Sequence, residues 1–389
     1  MNSTSAVFLI FVIFAGAAVL ATLALLARQA MIVAYLLVGV ILGPSGLGVV
    51  NNAAWLQDIA DIGILFLLYL LGLNMVPTQL LKMLREATVI TCLSSLVFFC
   101  GGVAVALAYG FLPREALVIG AAMMFSSTII GLKLLPTTTL HHQHTGQVMI
   151  SVLLLQDLLA IVVLMGLQAS AISHPNAITF SLQILALPVL IGVAYGLERW
   201  VLEPLLRRFD QIQEYLFLLV IAWCLSLAEL GHRLGLSHEI GAFIAGVALA
   251  NCPVSLFIAD SLRPLRDFFL ILFFFSVGAS LELDLLAQTL LPAITLAALM
   301  LATKPWVFRQ LFLREGETLA LAREAGARLG QVGEFSLLVA VLATHIGLLG
   351  SLASNVLQLA VVLTIVVSSY VIVMRYPTPM AVRDELRRD

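Results

Sequence analysis

The chain has 389 residues, of which 61% are hydrophobic and 11% charged, and its formal net charge is -2 at pH 7. Soluble domains average about 25% charged residues, so water is not the solvent for most of this surface. No basic stripe and no alternation of aromatic with basic residues is present, which excludes nucleic-acid binding. The four cysteines lack the short spacing of zinc or redox motifs and are interpreted as reduced packing residues.

A helix that crosses the bilayer needs about 20 predominantly apolar residues. By that criterion the sequence predicts thirteen spans. In chain order they cover residues 5–27, 30–50, 59–76, 87–110, 115–135, 148–171, 178–197, 214–231, 236–252, 267–281, 286–308, 321–345 and 353–374. The connections are short, so residues 1–389 are predicted to form one all-α integral membrane domain with no separate soluble domain.

The distribution of lysine and arginine predicts the orientation, because these residues are retained on the cytoplasmic side. With the N-terminus outside, sixteen of them fall inside and only Arg114 and Arg233 fall outside, while Lys304 and Arg328 lie within spans. We therefore predict an external N-terminus and a cytoplasmic C-terminus.

The two halves of the chain show a weak internal similarity. Residues 34–40 resemble residues 241–247 at an offset of 207, and residues 61–72 resemble residues 267–278 at an offset of 206. The shift corresponds to seven spans, an odd number, so the second copy enters the membrane from the opposite side. Such inverted repeats are typical of secondary transporters. We assign repeat one to about 5–171, a linker helix to about 178–197 and repeat two to about 214–374.

Asp157 is the first candidate for a functional side chain. It lies near the middle of the span 148–171 and follows Gln156. A charge at the centre of a span costs about 2.5–3.5 kcal/mol on insertion scales, so it is a functional candidate by default. The functional interpretation is a carboxylate that binds a cation or a proton, and the alternative is a structural aspartate that joins helices by hydrogen bonds.

Polar residues also interrupt two other spans. Ser126, Ser127 and Thr128 lie in the span 115–135, and the offset of 207 relates Ser127 to Glu334. Glu334 stands with Gln331 in a segment that contains Gly330 and Gly333, which weaken a helix. We predict crossed, interrupted helices beside Asp157. The alternatives are hydroxyls that bond to their own helix and a Glu334 that pairs with Arg328.

Lys304 lies within the span 286–308 and precedes Pro305. It is either a lysine that reaches toward the membrane surface or a cation that pairs with Asp157 when no ion is bound. The sequence leaves both alternatives open.

Several ordered motifs resemble the second monovalent cation:proton antiporter family, in particular its Kef-type, glutathione-gated potassium efflux branch. They lie at residues 35–47, 61–73, 126–128, 155–157, 241–246, 273–278 and 330–335. The Gln156–Asp157 pair is the most diagnostic, because electrogenic sodium antiporters of the wider superfamily look to carry two adjacent carboxylates there.

The resemblance implies a sodium/proton antiporter-like fold of thirteen helices, assembled as a homodimer whose core domain moves against a dimerisation domain. It also implies Asp157 as the shared cation and proton site in a bacterial inner (plasma) membrane. The cytoplasmic nucleotide-binding regulatory domain of Kef-type proteins is absent from this chain. We expect either that this domain is a separate or truncated part of the protein, or that the chain is a short family member without this gate.

These observations predict an antiporter that exchanges potassium, or less readily sodium, for protons by alternating access. A single titratable carboxylate favours electroneutral one-for-one exchange. The alternative is a gated monovalent cation channel, whereas an enzyme would require a nucleophile and base or metal ligands that the sequence lacks. We expect no cofactor; the lipid bilayer and a second copy of the chain are the expected partners.

The orientation can be tested by cysteine labelling in a variant whose four native cysteines are replaced by serine. With an impermeant reagent on intact cells, single cysteines at Arg114 and Arg233 should be labelled, whereas those at Lys82, Arg207 and Arg383 should react only after lysis. Labelling at position 383 without lysis would contradict this topology.

Overall fold

A computed structural model describes residues 6–27, 29–50, 53–74, 77–128, 144–170, 177–209, 212–250, 252 and 255–376. All regular secondary structure in these ranges is helical. The all-α prediction is therefore confirmed for the described part of the chain. Arg383, which the orientation test uses, lies outside the described residues.

The helices follow one another with short connections. In chain order they are α1 Ala6–Leu26, α2 Met31–Leu42, α3 Ala53–Asn74, α4 Pro77–Ala108, α5 Pro113–Met123, α6 His144–Ser170, α7 Ala177–Leu197, α8 Glu203–Arg208, α9 Gln213–Arg233, α10 His238–Leu249, α11 Ser255–Ala279, α12 Leu286–Arg314, α13 Leu319–Arg328, α14 Glu334–His345 and α15 Ser351–Arg375. A π-helical turn, Glu198–Leu202, joins α7 to α8, and a 3-10 turn, Leu283–Leu285, precedes α12.

Six described helices are long and apolar enough to cross a membrane. They are Val7–Leu26, Ala87–Ala108, Val148–Gln168, Gln213–Arg233, Leu283–Arg314 and Ser351–Arg375. Four shorter apolar helices accompany them: Met31–Leu42, Asp61–Leu73, His238–Leu249 and Glu334–His345. The chain therefore has the helices of a multi-pass membrane protein.

Several boundaries differ from the prediction. The predicted span 30–50 ends as a helix at Leu42, because the chain turns at Gly46, where a Cβ would lie 2.3 Å from the Val40 carbonyl oxygen. The predicted span 267–281 belongs to a helix that already begins at Ser255, since the charged segment before it is helical. A hydropathy criterion detects neither a turn in an apolar run nor a helix in a charged one.

The chain divides into two compact units. Unit 1 consists of Met1–Asn51, Met83–Leu167 and Phe274–Asp389, and unit 2 of Asn52–Lys82 and Gln168–Phe273. Each unit therefore contains segments from both halves of the sequence. Within unit 1, α12 packs against α13 and α15, and α14 packs against α5 and α15.

In unit 1 two glycines bring the backbones of α2 and α11 into direct contact. A Cβ on Gly39 would lie 2.1 Å from the carbonyl oxygen of Phe275, and a Cβ on Gly278 would lie 2.1 Å from that of Leu36. Small residues at such crossings allow membrane helices to approach closely.

In unit 2 the same kind of contact joins α3 and α10. A Cβ on Gly246 would lie 2.1 Å from the carbonyl oxygen of Tyr69, and a Cβ on Gly72 would lie 2.5 Å from that of Phe243. Phe243 and Gly246 follow Leu36 and Gly39 by 207 positions, and Tyr69 and Gly72 precede Phe275 and Gly278 by 206. The offset seen in the sequence thus also relates two backbone contacts.

Gly246→Ala should destabilise the protein, because its Cβ meets a backbone atom that cannot move independently of its helix. Overpacking of this kind costs about 1–3 kcal/mol. The matched control is Gly192→Ala in α7, where a Cβ would have no atom within 4 Å. We expect a lower apparent melting temperature in detergent for Gly246→Ala and an unchanged or slightly higher one for the control. Equal melting temperatures would contradict the tight contact.

Candidate functional site

Two helices of unit 1 are interrupted, and their interruptions touch. Helix α5 ends at Met123 and is followed by a turn and three residues without regular secondary structure, whereas five non-helical residues separate α13 from α14. The amide of Gly333 donates to the carbonyl of Phe125 at 3.1 Å, and the hydroxyl of Ser126 donates to the carbonyl of Leu329 at 2.9 Å. The crossing therefore links the two segments that the sequence predicted to be interrupted.

Glycine is required at the crossing because the backbones are so close. A Cβ on Gly333 would lie 2.6 Å from the carbonyl oxygen of Ser126. Gly330 is similarly confined, with a built Cβ at 2.7 Å from the ring of Pro305. A side chain at Gly333 would separate the two segments, and one at Gly330 would push the crossing away from α12.

The ammonium of Lys304 is buried at the crossing. It donates to the carbonyls of Phe125 at 2.6 Å and Gln331 at 3.3 Å, and to the hydroxyl of Ser126 at 3.4 Å. It also lies 5.0 Å from the ring centroid of Phe98, within the range of a cation–π interaction. Since α5 and α13 both end here, the cation also lies at the negative ends of two helix dipoles.

Lys304 makes no ion pair with Asp157 among the described residues. The ammonium instead satisfies carbonyls that the interruptions leave free. Pairing of the two side chains in an ion-free state stays a prediction for a different conformation.

Gln156 bridges the same interruption from α6. Its Oε1 accepts from the amide of Ser126 at 3.0 Å, and its Nε2 donates to the carbonyl of Met124 at 3.3 Å. The neutral amide therefore supplies both a donor and an acceptor to the free backbone groups. An aspartate or glutamate at this position could supply only acceptors when ionised.

Asp157, the next residue, is 2% exposed and forms no hydrogen bond within the described part of the chain. Its carboxylate interacts electrostatically with that of Glu334, the first residue of α14. Glu334 accepts from the hydroxyl of Thr128 through Oε1, whereas its buried Oε2 has no hydrogen-bond partner. Two buried carboxylates, one of them with an oxygen that lacks a hydrogen-bond partner, thus lie beside the crossing.

Gln331 and Arg328 complete the predicted set. The side-chain Nε2 of Gln331 donates to the carbonyl of Ser127 at 3.4 Å, and its Oε1 accepts from the hydroxyl of Ser368 at 3.1 Å. Arg328 is fully buried and pairs with Glu324 at 2.6 Å, one turn earlier in α13. The pairing of Arg328 with Glu334 stays an alternative.

The structure adds residues that the sequence analysis did not select. Besides Phe98 and Ser368, the hydroxyl of Thr364 accepts from the amide of Val332 at 3.1 Å. Thr364 and Ser368 stand four residues apart in an apolar helix, a spacing that places both on one face. That pattern is a signal by which the sequence alone could have identified them.

The chain was then compared with known proteins. Residues 8–374 match the family described as "Sodium/hydrogen exchanger, transmembrane". K(+) efflux antiporter 4 of Arabidopsis thaliana is 29% identical, and the match covers 84% of this chain and 56% of the antiporter. K(+) efflux antiporter 6 of the same plant is 30% identical, and the match covers 83% of this chain and 55% of the antiporter. Iron transporter MagA of Paramagnetospirillum magneticum is 26% identical over 88% of this chain and 79% of its own length. The chain thus spans about half the length of the potassium antiporters that it matches.

Lys304→Met should destabilise the fold, because the buried carbonyl of Gln331 loses its donor and that of Phe125 keeps only the Gly333 amide. An unsatisfied buried group costs about 1–3 kcal/mol. The control is Arg314→Gln, which removes an exposed charge at the end of the same helix. We expect a clearly lower apparent melting temperature for Lys304→Met than for the control. If the two variants melt at the same temperature, the ammonium does not hold the crossing together.

Proposed function

Because the chain belongs to the sodium/hydrogen exchanger family and is similar to K(+) efflux antiporters, we propose that it exchanges monovalent cations for protons by alternating access. The observation that carries the proposal is the pair of buried carboxylates, Asp157 and Glu334, at the contact of two interrupted helices. Carboxylate oxygens bind either a hard cation or a proton. The same atoms can therefore serve both ions in turn.

The charges at the site support one-for-one exchange. With Lys304 charged and both carboxylates ionised, the buried groups carry a net charge of -1. An uncompensated buried charge is costly, and either one monovalent cation or one proton removes it. The exchange of these two ions is electroneutral, in line with the expectation from Asp157 alone.

Potassium is the proposed cargo, with sodium second. The support is the potassium in the names of the plant relatives, together with the oxygen ligands of the site. The iron transporter among the relatives makes Fe2+ a cargo to include in the assay.

The finer architecture belongs to the same proposal. We infer thirteen spans in two inverted repeats, a homodimer, an external N-terminus and a cytoplasmic C-terminus in the bacterial inner membrane. The glycine contacts at offsets of 206 and 207 support the repeat. The lysine and arginine distribution supports the orientation.

Asp157→Asn should abolish exchange, because the amide keeps the shape of the carboxylate but binds neither a proton nor a cation by charge. Purified protein in vesicles that contain a pH dye should move protons when K+ or Na+ is added outside, and the variant should not. The matched control is Asp284→Asn, an exposed carboxylate before α12, which should leave the rate unchanged. Size-exclusion chromatography of each variant verifies folding.

The same vesicles separate the antiporter from a cation channel and from an iron transporter. Electroneutral exchange needs no protonophore, whereas proton movement coupled to a channel appears only when a protonophore is added. Exchange should also saturate with cation concentration. Near wild-type exchange by folded Asp157→Asn, dependence on the protonophore, or proton release by Fe2+ alone would each overturn the proposal.

A further inference from the structure

A cavity of about 660 Å³ lies in unit 1, between α12, α13 and α15. Three arginines line it: Arg309 of α12, Arg323 of α13 and Arg375 at the end of α15. No carboxylate is among the described residues that line this cavity. The cavity is therefore strongly basic, in contrast to the acidic site proposed for the transported cation.

The three guanidinium groups have no counter-charge within the described part of the chain, because none of them forms an ion pair there. The Nε of Arg309 is also buried without a hydrogen-bond partner. Glu324, next to Arg323 in sequence, is bound by Arg328 through two nitrogens at 3.0 and 2.6 Å. The arginines of the cavity are thus available to an anion.

Tyr376 adds a neutral polar group to the wall. Burial and, to a lesser degree, Glu324 raise the pKa of its phenol above the ordinary value, against the opposing effect of Arg375. The hydroxyl is therefore protonated at physiological pH, and it donates to the carbonyl of Arg323 at 3.4 Å. The side chain contributes no negative charge to compete with an anion.

The mouth of the cavity is apolar. Trp306, Val367 and Val371 line it and are 59%, 43% and 39% exposed. Trp306 lies about two turns before the end of α12, and Val371 lies one turn before the end of α15. Tryptophan at the end of a span is typical of the depth of the lipid headgroups.

We propose that this cavity binds an anionic phospholipid. The guanidinium groups contact the phosphate oxygens, which match their planar, forked donors. One acyl chain extends from the mouth along Trp306, Val367 and Val371. Basic pockets between membrane helices are suited to such headgroups, and the apolar mouth favours a lipid over a soluble anion.

The test compares lipids on purified, delipidated protein in detergent. Phosphatidylglycerol should raise the apparent melting temperature and remain bound in native mass spectrometry, whereas phosphatidylcholine, which has no net charge, should do neither. The triple variant Arg309→Gln, Arg323→Gln, Arg375→Gln should bind phosphatidylglycerol at least tenfold more weakly. The control Arg199→Gln, Arg208→Gln, Arg314→Gln removes three exposed arginines outside the cavity and should bind like the wild type.

A single variant, Arg309→Gln, keeps the test decisive if the triple variant does not fold. It should weaken phosphatidylglycerol binding severalfold, since it removes the partly buried member of the three. Equal weakening in the control, unchanged binding in both cavity variants, or stabilisation by inorganic phosphate but not by phosphatidylglycerol would overturn the proposal. The readout is lipid binding, so it does not depend on whether the protein exchanges ions.

Discussion

The hydrogen bonds from the Lys304 ammonium to the carbonyls of Phe125 and Gln331 are the interaction on which the site depends. An interrupted helix exposes backbone groups that the hydrocarbon of a membrane cannot satisfy, at a cost of several kcal/mol for each group. Lysine, the amide of Gln156 and the hydroxyl of Thr364 satisfy them from three different helices. The interruptions persist because the surrounding helices complete their hydrogen bonds.

This hydrogen bonding of the interrupted segments also determines where a transported cation is expected to bind. The carbonyls at the ends of α5 and α13 accept from the Lys304 ammonium, so Asp157 and Glu334 remain as the proposed ligands of an incoming ion. Glu334 begins α14, and the positive end of a helix stabilises a carboxylate there. That stabilisation weakens the binding of a cation to the carboxylate. A transport site must bind the ion but also release it, and this requires a balance between the attraction of the carboxylates and their stabilisation by the protein.

The sequence predicts the ionisable residues better than it predicts their partners. Asp157 and Lys304 stand out because buried charge is rare in apolar spans, and the glycines around Gln331 indicate an interruption without any alignment. The cation–π contact of Phe98 and the ion pair of Arg328 with Glu324 depend on how helices pack, which hydropathy does not encode. The helix end at Leu42 escapes a hydropathy criterion for a different reason, since hydropathy ignores the turn signal of Gly43 and Pro44 that follows it.

The proposed repeat explains why the scaffold is symmetric while its chemistry is not. The amide of Ser126 is bound by Gln156 of α6 and that of Val332 by Thr364 of α15, so a side chain from another helix closes each interruption in a similar way. The offset of 207 that relates these interruptions also relates Asp157 to Thr364.

The same offset relates Glu334 to Ser127 and Lys304 to Val97. Each ionisable residue of the site therefore has an uncharged counterpart. In the proposed repeat, two similar halves would supply the crossing of interrupted helices, whereas only one member of each related pair is charged. A symmetric set of charges would double both the carboxylates and the lysine, and one monovalent cation could no longer neutralise the site.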